Sequence, residues 1–147
     1  MSIYSEKAAS NFRDGYNCAQ SVLLTFADKV GLSDNEALKL ASSFGGGMGR
    51  LREVCGAVSA MFMIAGFLKG YTEPNNDIVK ANHYKLIQDL ATEFKLKYNT
   101  IICRELLELD GTEFSPVPSA RTEEYYKERP CEGFIRYAAE IIEKELL

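Results

Sequence analysis

Residues 44–68 constrain this chain more than any other stretch. Gly45, Gly46, Gly47 and Gly49 place four glycines in five residues, and Arg50 and Arg52 follow them. Glycine lacks a Cβ and enters left-handed conformations that other residues avoid, so this loop can turn sharply or admit a neighbouring backbone. The run from Val54 to Leu68 is then almost wholly apolar, interrupted by Gly56, Ser59 and Gly66. It is short of the roughly 20 apolar residues that cross a bilayer. The reading is a helix over about 50–69, apolar nearly all round and therefore buried at the centre of the fold.

Helical signals recur on both sides of this segment, and strand signals hardly appear. A first helix over Ser5–Asp14 carries Ala8, Ala9 and Phe12 on one side and ends at Gly15. Asn17 with Gln20, and Ser33 with Glu36, are capping-box pairs that open two more helices. In the first, Ala19, Val22, Leu23, Phe26 and Val30 keep helical spacing up to Gly31; in the second, Ala37, Leu38, Ala41 and Phe44 run up to the glycines. A long amphipathic helix is predicted over Asn76–Tyr98 and a shorter one over 99–109. Residues 110–119 hold Gly111, Pro116 and Pro118 and read as a loop. Arg121–Glu128 is charged and marginal, and Glu123–Arg129 reads as a solvated face. After Pro130, a last helix places Cys131, Phe134, Ile135, Ala138 and Ile142 on one face. The expected architecture is all-α: one domain over 1–147, a bundle of five to six main helices around the buried central one.

Charge and composition narrow the partners. The chain has 147 residues, 46% hydrophobic and 26% charged, which is ordinary for a globular protein. A net charge of −4 without a basic stripe argues against nucleic-acid binding. Met1–Lys7 shows neither the basic nor the apolar part of a secretory leader, so the expectation is a cytoplasmic protein with no membrane partner. In that compartment cysteines are not assumed to form structural disulfides. A homodimer through an exposed apolar helix is a further expectation, although no heptad seam marks it.

The cysteines carry the chemistry. Cys18, Cys55, Cys103 and Cys131 are separated by 37, 48 and 28 residues, so there is no C-x-x-C pair and no zinc, thioredoxin-like or ferredoxin ligand run. Cys18 follows an N-cap, Cys131 follows Pro130, and Cys55 lies near the start of the central helix behind Arg50 and Arg52. Helix N-termini and nearby cations favour thiolate, the nucleophilic and metal-binding form. On that ground Cys18 and Cys55 are the expected attacking thiols. The plainer reading is that cysteine is a small apolar residue often buried in cores. The glycine loop matches neither a Walker A motif nor a dinucleotide fingerprint. It is either a backbone nest for an anion, with Arg50 assisting, or a tight connection between helices. His83, the only histidine, sits on an apolar stripe and reads as a core residue before a ligand or proton relay.

These residues together resemble the C_GCAxxG_C_C family, whose members are regarded as redox-active. The matching segments are Gly15-Tyr16-Asn17-Cys18-Ala19-Gln20, Phe44-Gly45-Gly46-Gly47-Met48-Gly49-Arg50, Cys55-Gly56-Ala57, Cys103-Arg104-Glu105-Leu106-Leu107 and Cys131 before the final helix. The resemblance implies that Cys18, Cys55, Cys103 and Cys131 form one functional set, catalytic or metal-ligating. It also implies a prosthetic group such as an iron–sulfur cluster or another thiolate-bound metal. Gly45, Gly46, Gly47, Gly49, Arg50 and Gly56 are the residues expected to line its site. Two positions depart from the pattern: Ala60 stands where a closing glycine is expected, and Arg52 where a further glycine is common.

Two functions follow as expectations. In the first, the four cysteines hold a thiophilic centre or cycle between dithiol and disulfide with a redox partner. In the second, the chain is a non-enzymatic helical module that binds a ligand or partner, and its cysteines are packing residues.

Overall fold

The computed structural model describes residues 2–109 and 115–147. They fold as helices: α1 (Ile3–Arg13), α2 (Cys18–Thr25), α3 (Asp34–Ala41), a short turn α4 (Gly45–Met48), α5 (Gly56–Lys69), α6 (Asp77–Tyr98), α7 (Cys103–Leu106), α8 (Glu123–Glu128) and α9 (Cys131–Leu146). Short 3-10 turns follow α2 at Ala27–Val30 and α3 at Ser42–Phe44. No strand forms among the described residues beyond a single bridge between Val54 and Ile102. The protein is all-α, and six of these helices run eight residues or longer.

The N-termini are built as the side chains require. Ser2, Asn17 and Ser33 each close a capping box, the latter two with Gln20 and Glu36. Asn76 caps α6 by accepting from Val79 N. Gly31 and Asn99 then take left-handed conformations that end the preceding helical segments.

Helices α1, α2, α5 and α9 pack around the core. Phe12 from α1, Val22 and Leu23 from α2, Val58, Met61 and Ile64 from α5, and Ile135 and Ile142 from α9 are buried together. Many of their neighbours are alanines, among them Ala8, Ala19, Ala57, Ala60 and Ala138, which bring the helix axes close. The core position at Ala60 is fully enclosed. Arg136 on α9 pairs with Glu6 on α1 at 2.7 Å. Helix α6 adds Leu90 and Phe94, with Tyr98, Phe134 and Tyr137 in an aromatic cluster whose tightest pair has ring centroids 4.8 Å apart. Its first half is half-buried or exposed, and there His83 stands edge-on to Tyr71.

Two expectations change. The central helix begins at Gly56, not near 50, because Arg50 and Arg52 both adopt positive φ, which a right-handed helix excludes. It is buried from Gly56 to Met61, but Gly66 and Phe67 at its far end are exposed. The helix expected over 99–109 shrinks to Cys103–Leu106, since Asn99 ends α6 and Ile102 is committed to the bridge with Val54. Residues 110–114 of the expected loop lie outside the described residues.

The enclosed site of Ile142 contrasts with Ile78, which is 76% exposed. Ile142→Ala is expected to cost about 2–5 kcal/mol of stability, and Ile78→Ala less than about 0.5 kcal/mol. Urea unfolding monitored by circular dichroism measures the difference.

Candidate functional site

The local backbone explains why the glycines are where they are. Gly46, Gly47, Met48, Gly49 and Arg50 all have φ between 63° and 70°, so the chain makes a left-handed turn. Its bonds run from Arg50 N to Gly45 O, Arg52 N to Gly46 O and Glu53 N to Gly47 O at 3.3, 3.3 and 2.9 Å. Glycine tolerates this conformation, whereas Met48, Arg50 and Arg52 are each held in it at a cost of about 1–2 kcal/mol. Close approach adds a second requirement. A Cβ on Gly47 would lie 2.6 Å from Cys103 Cβ, one on Gly45 2.5 Å from the Asn17 side chain, and one on Gly56 3.1 Å from Cys18 Cβ. The glycines therefore bring three distant segments against one another.

The turn feeds the Val54–Ile102 bridge. Cys55 N donates to Ile101 O at 2.8 Å, Cys103 N to Glu53 O at 2.6 Å and Arg104 N to Arg52 O at 3.2 Å. Cys55 and Cys103 are thus fixed side by side, 48 residues apart in sequence. Across from them stand Cys18 and Cys131, the first residues of α2 and α9. Cys55 is the residue that precedes α5, and Cys103 is the first of α7. All four cysteines occupy helix starts, three of them as the spacing and caps suggested. Cys103 joins them because its helix begins later than the sequence indicated.

One cavity of about 270 Å³ collects these parts. Its walls include all four cysteines, together with Gly45, Gly46, Gly47, Gly49, Arg50 and Gly56. Every residue singled out from the sequence for this site lies on it. His83 does not; its buried Nδ1 has no hydrogen-bond partner, and its ring neighbour is Tyr71. The volume falls just below the roughly 300–1,000 Å³ of drug-sized ligand sites, which suits a small molecule or a compact group.

Three further wall residues were not recognisable in the sequence as site residues. Arg121 sits over the Phe12 ring at 4.5 Å, donates to Phe12 O at 2.9 Å and Tyr16 O at 3.0 Å, and so is anchored at the end of α1. Tyr125 and Arg129 flank it, the guanidinium of Arg129 lying 5.5 Å from the Tyr125 ring. The segment that reads as a solvated face is, on this side, cavity wall. Nothing in its spacing reveals this, because the contacts run to α1.

The thiols are unequal. The neighbouring Cys18 side chain holds the Cys131 thiol below the ordinary thiol range; Arg129, Arg121 and Arg52 add to this against the effect of burial. The Cys131 side chain, followed by burial, in turn pushes Cys18 well up. Of the two, Cys131 is the more readily ionised. Burial pushes Cys55 up to about 12 against the pull of the Val58 and Ala57 N–H groups. Burial also raises Cys103, opposed by Arg52, whose Nη1 donates to Cys103 Sγ at 3.7 Å. The expected attacking pair is thus corrected: a helix start lowers a thiol only where desolvation does not outweigh it, and the arginines gather at Cys131.

All four cysteines are free. Among the described residues no three His, Cys, Asp or Glu side chains are grouped closely enough to hold a single metal ion. An iron–sulfur cluster makes a different demand, four thiolates spread around a larger body. Cys18, Cys55, Cys103 and Cys131 line one cavity together with arginines and are the residues that would hold such a group.

The fold and site define an all-α protein with a four-cysteine cavity. A family model described as "Putative redox-active protein (C_GCAxxG_C_C)" matches residues 16–145, and the chain belongs to this family. No curated protein and no solved structure matches it. Among the described residues no helix is long and apolar enough to cross a membrane.

Two stability measurements follow. Gly47→Ala meets both positive φ and the Cys103 contact, so it is expected to cost more than the roughly 1–2 kcal/mol of a left-handed alanine alone. Gly31→Ala has the same φ problem in open space and should stay within that range. In alkali, Cys55 keeps its proton in the folded chain up to about 12, whereas an ordinary thiol releases it near 9. The folded state then binds more protons than the unfolded one, so stability is full below about 9 and falls as pH rises towards 12. Cys55→Ala should flatten that decline in denaturation curves taken across this window.

Proposed function

We propose that this chain is a thiol redox protein whose working pair is Cys131 and Cys18. The observation that carries the reading is that Cys18 and Cys131, each the first residue of its helix, line one cavity with Arg121 and Arg129, and these arginines help to lower the Cys131 thiol. A low-pKa thiolate next to a second thiol is what disulfide exchange needs. The Cys131 thiolate attacks one sulfur of a substrate disulfide, forming a mixed disulfide and releasing the other half as thiolate. Cys18 passes its proton to that leaving thiolate and attacks Cys131 Sγ. A Cys18–Cys131 disulfide forms, and the second half of the substrate leaves as a thiolate. Two electrons pass from the protein pair to the substrate, and a redox partner must return them.

A second reading is favoured by a separate observation, that Cys55 and Cys103 share the same cavity. In it, Cys18, Cys55, Cys103 and Cys131 would hold an iron–sulfur cluster, which would supply one-electron transfer. The protein's own part is then to offset the cluster's charge with the cavity arginines and to keep it from bulk water. A helical binding module with structural cysteines remains the non-redox alternative.

Alkylation of the reduced protein with iodoacetamide at neutral pH, mapped by peptide mass, tests the pair. Cys131 is expected to react first, and Cys18→Ala to slow it by removing the neighbouring S–H group. Mild oxidation should lower the mass by the two hydrogens of one disulfide joining Cys18 to Cys131. Uniform, slow reaction of all four thiols would contradict the reading and favour structural cysteines. Anaerobic purification with visible absorption and iron analysis separates the cluster: colour with bound iron lost in each single Cys→Ser variant establishes it.

A further inference from the structure

We infer that the cavity selects an anionic substrate, a small oxyanion or a small molecule bearing a carboxylate, sulfonate or phosphate group, and that Arg52 is the residue that recognises it. This rests on the thiol reading for what happens to the substrate, though not for its binding.

Arg52 is only 4% exposed, yet its Nε has no hydrogen-bond partner. Burying a cation is costly unless it is paired and its donors are satisfied. Its Nη1 reaches Cys103 Sγ at 3.7 Å, but Cys103 is pushed towards the neutral form, so that contact does not balance the charge. The backbone gives up stability to place the side chain there, since φ at Arg52 is 60° and glycine would serve the turn better. A buried, strained, incompletely bonded arginine on a cavity wall is accounted for when a ligand completes its bonds.

The rest of the cavity points the same way. Arg121 and Arg129 also line it, and no Asp, Glu or Lys does among the described residues. Neither these two nor Arg52 forms an ion pair with a carboxylate among the described residues, whereas Arg13, Arg104 and Arg136 elsewhere all do. Arg50 is a fourth arginine on its wall. A chain of net charge −4 thus keeps a locally positive cavity. Helices α2 and α9 direct their N-termini into it, and arginine's planar fork matches a carboxylate or an oxyanion.

The test is calorimetric titration of the reduced protein with inorganic sulfate, and separately with phosphate, at low ionic strength. Saturable binding at one site is expected. Arg52→Gly relieves the backbone and so should fold at least as well, while weakening binding about tenfold or more, in line with loss of a charged hydrogen bond. Arg52→Gln should weaken it similarly, and Lys85→Gln, in an exposed ion pair with Asp89, should leave it unchanged. No saturable binding, or binding undiminished in both Arg52 variants, overturns the inference. In the parent protein, saturable sulfate binding together with no Cys18–Cys131 disulfide after mild oxidation would sink the thiol reading alone. In a second arm, a carboxylate-bearing aromatic disulfide should oxidise the thiols faster than a neutral dipyridyl disulfide, and Arg52→Gly should erase that preference. Equal rates in the parent protein also count against the inference.

Discussion

The left-handed turn at residues 46–50 is the constraint on which the site depends. A right-handed continuation from α3 would not adopt the positive φ values found there. Reversing the hand over five residues instead sets Gly47 against Cys103 and Gly56 against Cys18. It then delivers Arg52 to the cavity and Cys55 to the start of α5. Met48, Arg50 and Arg52 are held in a disfavoured region to achieve this, and such strain persists only where the surroundings over-determine it. Here the surroundings are the backbone bonds from Arg50, Arg52 and Glu53 back to Gly45, Gly46 and Gly47, and the bridge to Ile102.

From that constraint the electrostatics follow. Helix starts meeting at one cavity bring unpaired amides and dipole ends together, and this alone would favour anions. Burial works against thiolates at the same points. Cys55 shows burial winning, since it is enclosed and the N–H groups of Val58 and Ala57 do not offset the loss of water. Cys131 shows the opposite balance, because Cys18, Arg52, Arg121 and Arg129 together outweigh its burial. The difference between these two cysteines near helix starts is thus made by their surroundings, Cys18 and Arg52 from distant segments and Arg121 and Arg129 from nearby ones.

This is also where legibility in the sequence ended. Asn17–Gln20 and Ser33–Glu36 announced their helices because capping is local, and the apolar periodicities around Phe12, Val22, Met61 and Ile142 marked the core that forms. The four cysteines and the glycine loop were visible as candidates, and their shared cavity was suggested only by the family resemblance. The start of α5 was misjudged because arginines are good helix formers and nothing local shows that Arg50 and Arg52 are left-handed. The parts played by Arg121, Tyr125 and Arg129 were hidden for a different reason: their partners are Phe12, Tyr16 and Cys131, two of them more than 100 residues away. The ranking of the thiols failed for the same cause, since helix position is a local property and desolvation is not.

The central claim is that Cys18 and Cys131 form the working pair of a redox site. A crystal structure of the protein after mild oxidation tests it most directly. A bond of about 2.05 Å between Cys18 Sγ and Cys131 Sγ, with Cys55 and Cys103 still free, is the expected result. Bonding between any other two cysteines, or four thiols that remain separate under conditions that oxidise ordinary dithiols, would contradict it.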